Sequence, residues 1–113
     1  MSKLAKPATK RRIRGSRTGR PIMVLLDLLG RRWALRILWE LRNGALTSRA
    51  LRTACDEASP TVLNERLKEL REAGFIALVP SSGYGLTARG QELLKALLPL
   101  HHFAERWSKQ AAK

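Results

Sequence analysis

One short segment of the sequence concentrates side chains with mixed hydrogen-bonding chemistry. Residues 59–73 carry leucines at spacings of four and three, and the opposite face of a helix there, at about 100° per residue, is polar. An amide both donates and accepts hydrogen bonds, a carboxylate only accepts and an ammonium only donates. A face of this kind suits recognition of donors and acceptors on another molecule. Its members are Thr61, Asn64, Glu65, Lys68 and Glu72.

The sequence indicates no set of residues that would support catalysis or metal binding. The Ser and Thr residues cluster at predicted caps and turns, with no Ser–His–Asp or Cys–His arrangement. The Gly-Tyr-Gly at 83–85 predicts a turn and not a phosphate loop, because no helix opens directly on it with the required pattern. His101 and His102 are adjacent on a predicted helix, so they point about 100° apart and cannot form an i, i+4 metal pair. We therefore expect no enzymatic activity, no metal and no cofactor.

Positive charge is unevenly distributed along the 113 residues. Lys and Arg total 22 against 9 Asp and Glu, which gives a net charge of +13, and the first twenty residues hold eight basic residues and no acidic one. Residues 1–20 therefore predict a disordered basic arm, and residues 21–113 predict one folded domain. Such an arm suits a phosphate backbone, although it could also be a solvated tail that aids solubility. The expected phosphate contacts in the arm are Arg11, Arg12 and Arg14.

Four helices are predicted in the first part of the domain, at about 21–29, 32–42, 47–54 and 59–73. Pro21 opens the first helix, which is apolar nearly all the way round and must be covered on more than one side. Ser59 as N-cap and Pro60 at the first helical position start the fourth helix, and Gly74 ends it. In so small a protein, the apolar first helix suggests a partner subunit.

A short hairpin and a long helix complete the predicted domain. Residues 75–86 predict a small hairpin around a turn at 80–83. Thr87 caps a final helix over about 88–109, which Pro99 should kink. Apolar residues of this helix repeat at spacings of four and three over two heptads: Leu93, Leu97, Leu100, Ala104 and Trp107. We expect so apolar a terminal helix to pack on a partner chain.

This order of elements is that of a winged helix-turn-helix domain, mainly α with a small β-hairpin. The helices at 47–54 and 59–73 would form the helix-turn-helix, and the hairpin would form the wing. The second of these helices would enter the major groove of double-stranded DNA, where its outward side chains reach base edges.

Two motifs together carry a family resemblance. Residues 30–33 read Gly-x-x-Trp, and residues 59–74 read Ser-Pro-x-Val-Leu-x-x-Arg-Leu-x-Glu-Leu-x-x-Ala-Gly. With further matching segments at 28–29, 37–41, 44, 51–52, 75 and 86–90, the sequence over about 20–107 resembles the HxlR-type family of winged-helix transcription regulators, relatives of the MarR-like regulators. The resemblance implies a prokaryotic homodimer with N- and C-terminal dimerisation helices that binds palindromic operator DNA. We accordingly expect a cytoplasmic, nucleoid-associated protein without a membrane span.

The sequence departs from the family pattern in three respects. Arg20 and Pro21 stand where the family commonly has a cysteine, used by some members to sense oxidants or electrophiles. Cys55, the single cysteine, stands where a large aliphatic residue is usual, so we expect a small buried hydrophobic residue, with a redox sensor as the alternative. Thr61 replaces a frequent Lys. The turn at 80–85 has no Lys or Arg, so we expect the basic arm to supply the backbone or minor-groove contact instead.

The expected DNA contacts differ in what they read. Asn64 can pair with adenine and Glu65 can accept from cytosine, whereas Lys68 and Arg71 suit phosphates. Arg66 could contact DNA, but it could equally form a salt bridge within the domain. Outside the arm, the expected contact residues are Arg31, Arg32, Thr47, Ser48, Arg49, Ser59, Pro60, Thr61, Asn64, Glu65, Lys68, Arg71 and Tyr84. The expected dimer interface comprises Ile22, Leu25, Leu26, Leu29, Leu93, Leu97, Leu100, Phe103, Ala104 and Trp107.

Two other functions stay open at this point. A non-specific architectural DNA- or RNA-binding protein would use the basic arm and would show a steep salt dependence with no sequence preference. A protein-interaction module would use its basic face for an acidic partner and would retard no nucleic acid at moderate salt. The sequence indicates no particular small-molecule effector.

Overall fold

The computed structural model describes residues 19–111. Within this range the chain forms five helices and one antiparallel hairpin, which confirms the predicted class and order. The elements are α1 (Pro21–Leu29), α2 (Ala34–Glu40), α3 (Ser48–Ala54), α4 (Pro60–Glu72), β1 (Ile76–Val79), β2 (Gly83–Leu86) and α5 (Ala88–Ala111). The predicted arm contacts Arg11, Arg12 and Arg14 lie outside the described residues.

Local capping signals start α3 and α4 where the sequence predicts. The Thr47 hydroxyl accepts a hydrogen bond from the Ala50 backbone N–H at 3.1 Å. The Ser59 hydroxyl accepts one from the Val62 backbone N–H at 3.5 Å, and Pro60 is the first residue of α4. These caps satisfy backbone donors that the first turn of a helix leaves unpaired.

The second helix is shorter than predicted. It begins at Ala34 and not near residue 32, because Trp33 has a left-handed backbone with φ of 74° and cannot continue a right-handed helix. Its last residue is Glu40, and residues 41–43 continue as turns. The Trp33 side chain packs against the core, which holds this residue in its left-handed conformation.

The core lies between α2, α3, α4 and the first strand. The predicted leucine stripe of α4 is buried within it. Cys55 is 0% exposed, which confirms the expectation of a small buried hydrophobic residue. The largest fully buried side chains are Ile37, Leu38, Leu41, Leu51, Leu63, Leu67, Leu70, Ile76 and Cys55.

The wing is joined to the body through the segment that precedes α3. β1 and β2 pair over four residues each, and Leu46 forms an additional bridge to Tyr84 in β2. The two residues exchange backbone hydrogen bonds of 2.9 and 2.8 Å. Gly83 permits this approach, because its φ is +109° and a Cβ there would collide with the Leu46 backbone. The wing is therefore held against the start of the helix-turn-helix.

α5 begins in close contact with the end of α4. The Thr87 hydroxyl donates to the Gly74 carbonyl at 2.6 Å and accepts from the Gly90 backbone N–H at 3.0 Å. A side chain at Gly90 would collide with the carbonyl that precedes β1. The helix then continues through Pro99 to its end at Ala111. Among the helices described, none combines the length and the apolar character that crossing a membrane requires.

Candidate nucleic-acid interface

The polar face of α4 is exposed, while its apolar face is buried. Leu63, Leu67 and Leu70 are at most 2% exposed, so they fix the rotation of the helix about its axis. The remaining face points away from the core. Its exposed residues are Thr61, Asn64, Glu65, Lys68, Arg71 and Glu72. The residues predicted to read DNA are thus brought together on one accessible surface.

A polar groove lies where α3 meets the start of α4. Its lining combines hydroxyl, guanidinium, carboxylate and amide groups: Ser48, Arg49, Arg52, Thr53, Glu57, Pro60, Leu63 and Asn64. Asn64 therefore lies at the boundary between this groove and the exposed face of α4. The groove places the positive charge of α3 beside the row of side chains that α4 presents.

The turn between α3 and α4 is held by Arg52. Asp56 and Glu57 both have left-handed backbones, with φ of 55° and 59°. The Arg52 guanidinium donates to the Ala58 carbonyl at 3.0 Å and lies 3.8 Å from the Glu57 carboxylate. These contacts tie the far end of the turn to α3.

Arg36 of α2 supports the same turn from the other side. Its guanidinium donates to the Ala54 carbonyl at 2.6 Å and to the Glu40 carboxylate at 2.8 Å, and it lies 3.5 Å from Asp56. The hydrogen bond to Glu40 raises the pKa of Arg36 above its ordinary value. Sequence reasoning missed this residue, because an arginine between apolar helix positions gives no signal of a partner eighteen residues away.

Arg31 and Arg32 have different surroundings, although both were predicted to contact DNA. The Arg31 guanidinium lies 3.0 Å from Asp27 and 2.9 Å from Glu69, and its side chain is 18% exposed. It therefore links the end of α1 to α4. Arg32 is exposed, and its guanidinium lies 5.3 Å from the centre of the Trp33 ring. Of the two, the surroundings of Arg32 are those of a surface contact.

Arg66 forms the salt bridge that the sequence offered as one alternative. Its guanidinium lies 3.1 Å from both Glu65 and Glu69, and its side chain is 13% exposed. The Glu65 carboxylate is nevertheless 61% exposed. Glu65 can therefore accept a hydrogen bond from outside while its charge is partly balanced from within.

The remaining predicted contacts divide between surface and structural positions. Ser48 and Arg49 are exposed at the start of α3, whereas the hydroxyls of Thr47 and Ser59 act as helix caps. Tyr84 pairs with Leu78, one step from the turn of the wing. It is within β2, bridged to Leu46, and it packs against the core. Its position makes it part of the junction between wing and body.

The residues predicted to form a dimer interface fall into two sets. Leu29 is 7% exposed and belongs to the core, and Leu25 and Leu93 pack against that core, because α1 and the start of α5 rest on the body of the chain. The remaining large side chains are more than half exposed, and they extend the apolar surface beyond the body: Ile22, Leu26, Leu100, Phe103 and Trp107. Leu97 is half-buried and Ala104 is exposed.

Two helices joined by a tight turn, with the second presenting a polar face and followed by a hairpin, define a winged helix-turn-helix protein. The family model described as HxlR-like helix-turn-helix matches residues 28–112. The chain therefore belongs to the HxlR-like family of DNA-binding transcriptional regulators. This confirms the family resemblance and the fold class predicted from the sequence.

Two relatives have comparable similarity over most of the chain. The uncharacterised HTH-type transcriptional regulator sll1512 of Synechocystis sp. is 32% identical over 96 residues, covering 80% of this chain and 71% of its own. The uncharacterised HTH-type transcriptional regulator YvaP of Bacillus subtilis is 32% identical over 88 residues, covering 73% and 82%. Both are named as regulators of transcription, in agreement with the family.

Solved structures of YodB from B. subtilis share the fold. The quinone-bound form superposes with a TM-score of 0.64 at 27% identity, covering 79% of this chain and 96% of that one. The reduced form gives a TM-score of 0.59 at 28% identity, covering 80% and 91%.

Proposed function

We propose that this regulator is a homodimer that binds one palindromic sequence of double-stranded DNA, with α4 in the major groove. The observation that carries the proposal is the exposed polar face of α4, where an amide, a carboxylate and an ammonium group follow one another above a buried leucine stripe. A major groove presents a distinct pattern of donors and acceptors for each base pair, and this face can match such a pattern.

Within this face, base reading and phosphate binding are assigned to different residues. Asn64 can both donate to and accept from an adenine edge, and Glu65 can accept from cytosine. Lys68 and Arg71 are exposed on the same face and would neutralise phosphates. Thr61, at the start of α4, offers a hydroxyl and a methyl group to the same groove. Of these residues, only Asn64 and Glu65 are assigned to direct reading of the base sequence.

The supporting contacts come from the start of α3 and from the turn before α2. Ser48 and Arg49 are exposed beside the polar groove, and Arg32 is exposed near the end of α1. Contacts from these positions to phosphates would fix the register of α4 on the duplex. We do not include Arg31, because Asp27 and Glu69 already engage its guanidinium.

The homodimer is supported by apolar surface on α1 and α5. Exposed fractions of 52% for Leu26, 58% for Leu100 and 61% for Trp107 leave apolar area that burial in an interface would remove from water. A two-fold symmetric pair would place two α4 helices on one face of DNA and would require a palindromic site.

Sensing of a quinone is not part of the proposal, although one similar structure is quinone-bound YodB. Quinones are electrophiles, and a thiolate is the side-chain nucleophile that attacks them most readily. The only thiol here, that of Cys55, is 0% exposed, and burial raises its pKa. Its chemistry in the folded chain is that of a core residue.

The experiment is a selection of random double-stranded DNA by the full chain at about 150 mM salt, with sequencing of the retained fraction. We expect enrichment of one palindrome whose half-sites are one helical turn apart or a multiple of it. Retention without enrichment would favour the non-specific architectural reading, which the net charge of +13 supports. Failure to retain any DNA would contradict both.

Two variants separate base reading from phosphate binding on the selected site. Asn64→Ala should lower discrimination at one base pair by about 1–3 kcal/mol and leave the other positions unchanged. Lys68→Ala should weaken binding to all sequences and reduce the salt slope by about one. The matched controls Asn43→Ala and Lys95→Ala, which alter exposed residues outside the interface, should bind like the unaltered chain.

A further inference from the structure

We propose that His101, His102 and Glu105 of α5 bind a divalent transition-metal ion such as Zn²⁺. The ligating atoms of these three residues all lie within 4.8 Å of one another. No part of the DNA interface includes them, so the site is additional to the proposed function and does not depend on it.

The helix geometry brings a carboxylate between two imidazoles. Glu105 follows His101 by four residues and His102 by three, so it lies one turn further along the same side of α5. Its carboxylate oxygens lie 3.4 Å from His101 Nε2 and 3.8 Å from His102 Nδ1. The expectation of no metal site considered histidine pairs alone, and Glu105 supplies the ligand that adjacent histidines lack.

Two of these spacings are close to those between the ligands of a bound ion. Metal–ligand distances of about 2.0–2.1 Å in a tetrahedral zinc site imply roughly 3.3–3.4 Å between neighbouring ligand atoms. The two contacts involve different oxygens of Glu105 and exceed that spacing by up to about half an ångström. The widest separation among the three ligand atoms, up to 4.8 Å, must close by about an ångström or more when an ion binds. The side chains of His102 and Glu105 are 61% and 60% exposed, so they can make that adjustment and an ion can reach them from solvent.

Packing from α2 restrains one of the ligands in advance. The His101 ring lies 4.7 Å from the Trp39 ring at an angle of 31°, so its rotation is limited by a large aromatic neighbour. Arg42 lies over that same Trp39 ring at 4.2 Å and donates to the Trp39 carbonyl, which directs its charge to α2. Arg106, which follows Glu105, lies over Phe103 at 5.9 Å.

The ligand set indicates the class of ion. Imidazole and carboxylate together suit Zn²⁺, Co²⁺, Ni²⁺ and Cu²⁺, whereas Mg²⁺ and Ca²⁺ prefer oxygen ligands throughout. Three protein ligands leave at least one position for water or for a group from another molecule. The site lies beside Phe103 and Leu100, so an ion held there would sit at the edge of the apolar surface that the proposed dimer would cover.

The test is calorimetric titration of untagged, metal-free full-length protein with ZnCl₂, with MgCl₂ as the comparison. The chain has only two histidines, both in this cluster, which limits competing imidazole sites. We expect one Zn²⁺ per chain and no detectable heat from Mg²⁺. His102→Gln and Glu105→Gln should each weaken Zn²⁺ binding about tenfold or more, whereas Glu92→Gln, an exposed residue elsewhere on α5, should not.

A spectroscopic readout identifies the ligands independently. Co²⁺ bound by nitrogen and oxygen ligands should show weak d–d absorption without the intense thiolate charge-transfer band that Cys55 would cause. Three results would each overturn the proposal. They are no Zn²⁺ binding at a Zn²⁺ concentration of about 100 μM, binding by both variants as tight as that of the unaltered chain, and a thiolate band. Retention of DNA by the metal-free chain would be unchanged in all of these outcomes, so failure of the metal site and failure of the proposed function are distinguishable.

Discussion

Neighbouring arginines of the same sequence motif have different partners. Arg31 is engaged by two carboxylates from α1 and α4, whereas Arg32 is exposed beside Trp33. Local sequence gives the two residues the same character, because both precede the second helix and both carry a guanidinium. The second partner of Arg31, Glu69, lies thirty-eight residues further along and gives no local signal in the sequence.

The two arginines should therefore respond to different assays. Arg31→Ala removes the contact with Asp27 and leaves Glu69 with Arg66 alone, so the free energy of unfolding should fall by about 1–3 kcal/mol in urea denaturation. Arg32→Ala should leave stability within about 0.5 kcal/mol and weaken DNA retention in a salt-dependent manner. Equal stability of both variants would show that the pairs of Arg31 contribute little.

The buried thiol of Cys55 predicts a pH dependence of stability. Burial raises the pKa of this thiol above its ordinary value near 9.0, so the folded chain holds the proton more tightly than the unfolded chain does. The free energy of unfolding should therefore decrease as the pH rises through that ordinary value, and should be unaffected by this group well below it. Urea denaturation at several alkaline pH values, compared with Cys55→Ala, isolates the contribution, because the variant lacks the group. If the free energy of unfolding has the same pH dependence in the unaltered chain and in Cys55→Ala, this prediction is wrong.

At the scale of elements, residue 87 joins three parts of the fold. The Thr87 hydroxyl bonds to the end of α4 and to the first turn of α5, and its backbone N–H donates to the Phe75 carbonyl at 3.0 Å. Thr87→Val keeps the shape of the side chain but removes both hydroxyl hydrogen bonds. We expect a loss of about 1–2 kcal/mol in the free energy of unfolding, measured in urea.

The control for this prediction is Thr53→Val, an exposed substitution of the same kind within α3. It should change stability by no more than about 0.5 kcal/mol. If both variants lose the same free energy of unfolding, the loss is caused by the change from Thr to Val itself and not by removal of the cap.

Elements with strong local signals were predictable from the sequence, and elements set by distant contacts were not. Ser59 and Pro60 start α4 because capping and a preset φ act within one turn. The bridge between Leu46 and Tyr84 had no such signal, because it joins segments on either side of two helices. Trp33 breaks the start of α2 for a similar reason: its left-handed backbone is maintained by packing, which overrides the helical pattern of its neighbours.

The candidate site likewise contains residues that could be predicted from the sequence and residues that could not. Asn64, Glu65 and Lys68 could be predicted from helical periodicity, because the buried leucines determine which side of α4 faces outward. Arg36 and Arg52, which position the turn before that helix, could not, because their partners are backbone carbonyls whose location depends on the whole fold.

At the scale of the whole molecule, the apolar surface of α5 predicts the state of association. Phe103 is 52% exposed, so Phe103→Glu would place a charge in the interface of the proposed homodimer. Light scattering at micromolar concentration should give about twice 12.7 kDa for the unaltered chain and a monomer for the variant.

Leu78→Glu is the matched control for this experiment. It alters a side chain on the wing that is 56% exposed and is not among the residues predicted to form the dimer interface. Its mass should be that of the unaltered protein. A monomeric unaltered chain would contradict the proposed dimer directly.

The final stretch of α5 has a geometric consequence for any two-fold assembly. Every residue from 102 to 111 is exposed, so this segment projects about 15 Å at 1.5 Å per residue. Inserting one residue after Leu100 would advance the remainder by that 1.5 Å and turn it by about 100°, which carries Phe103 and Trp107 to another side of the helix. In the proposed dimer, the helical phase of this projection would govern the distance between the two DNA-reading helices. Operator spacing would then be encoded far from the residues that touch the bases.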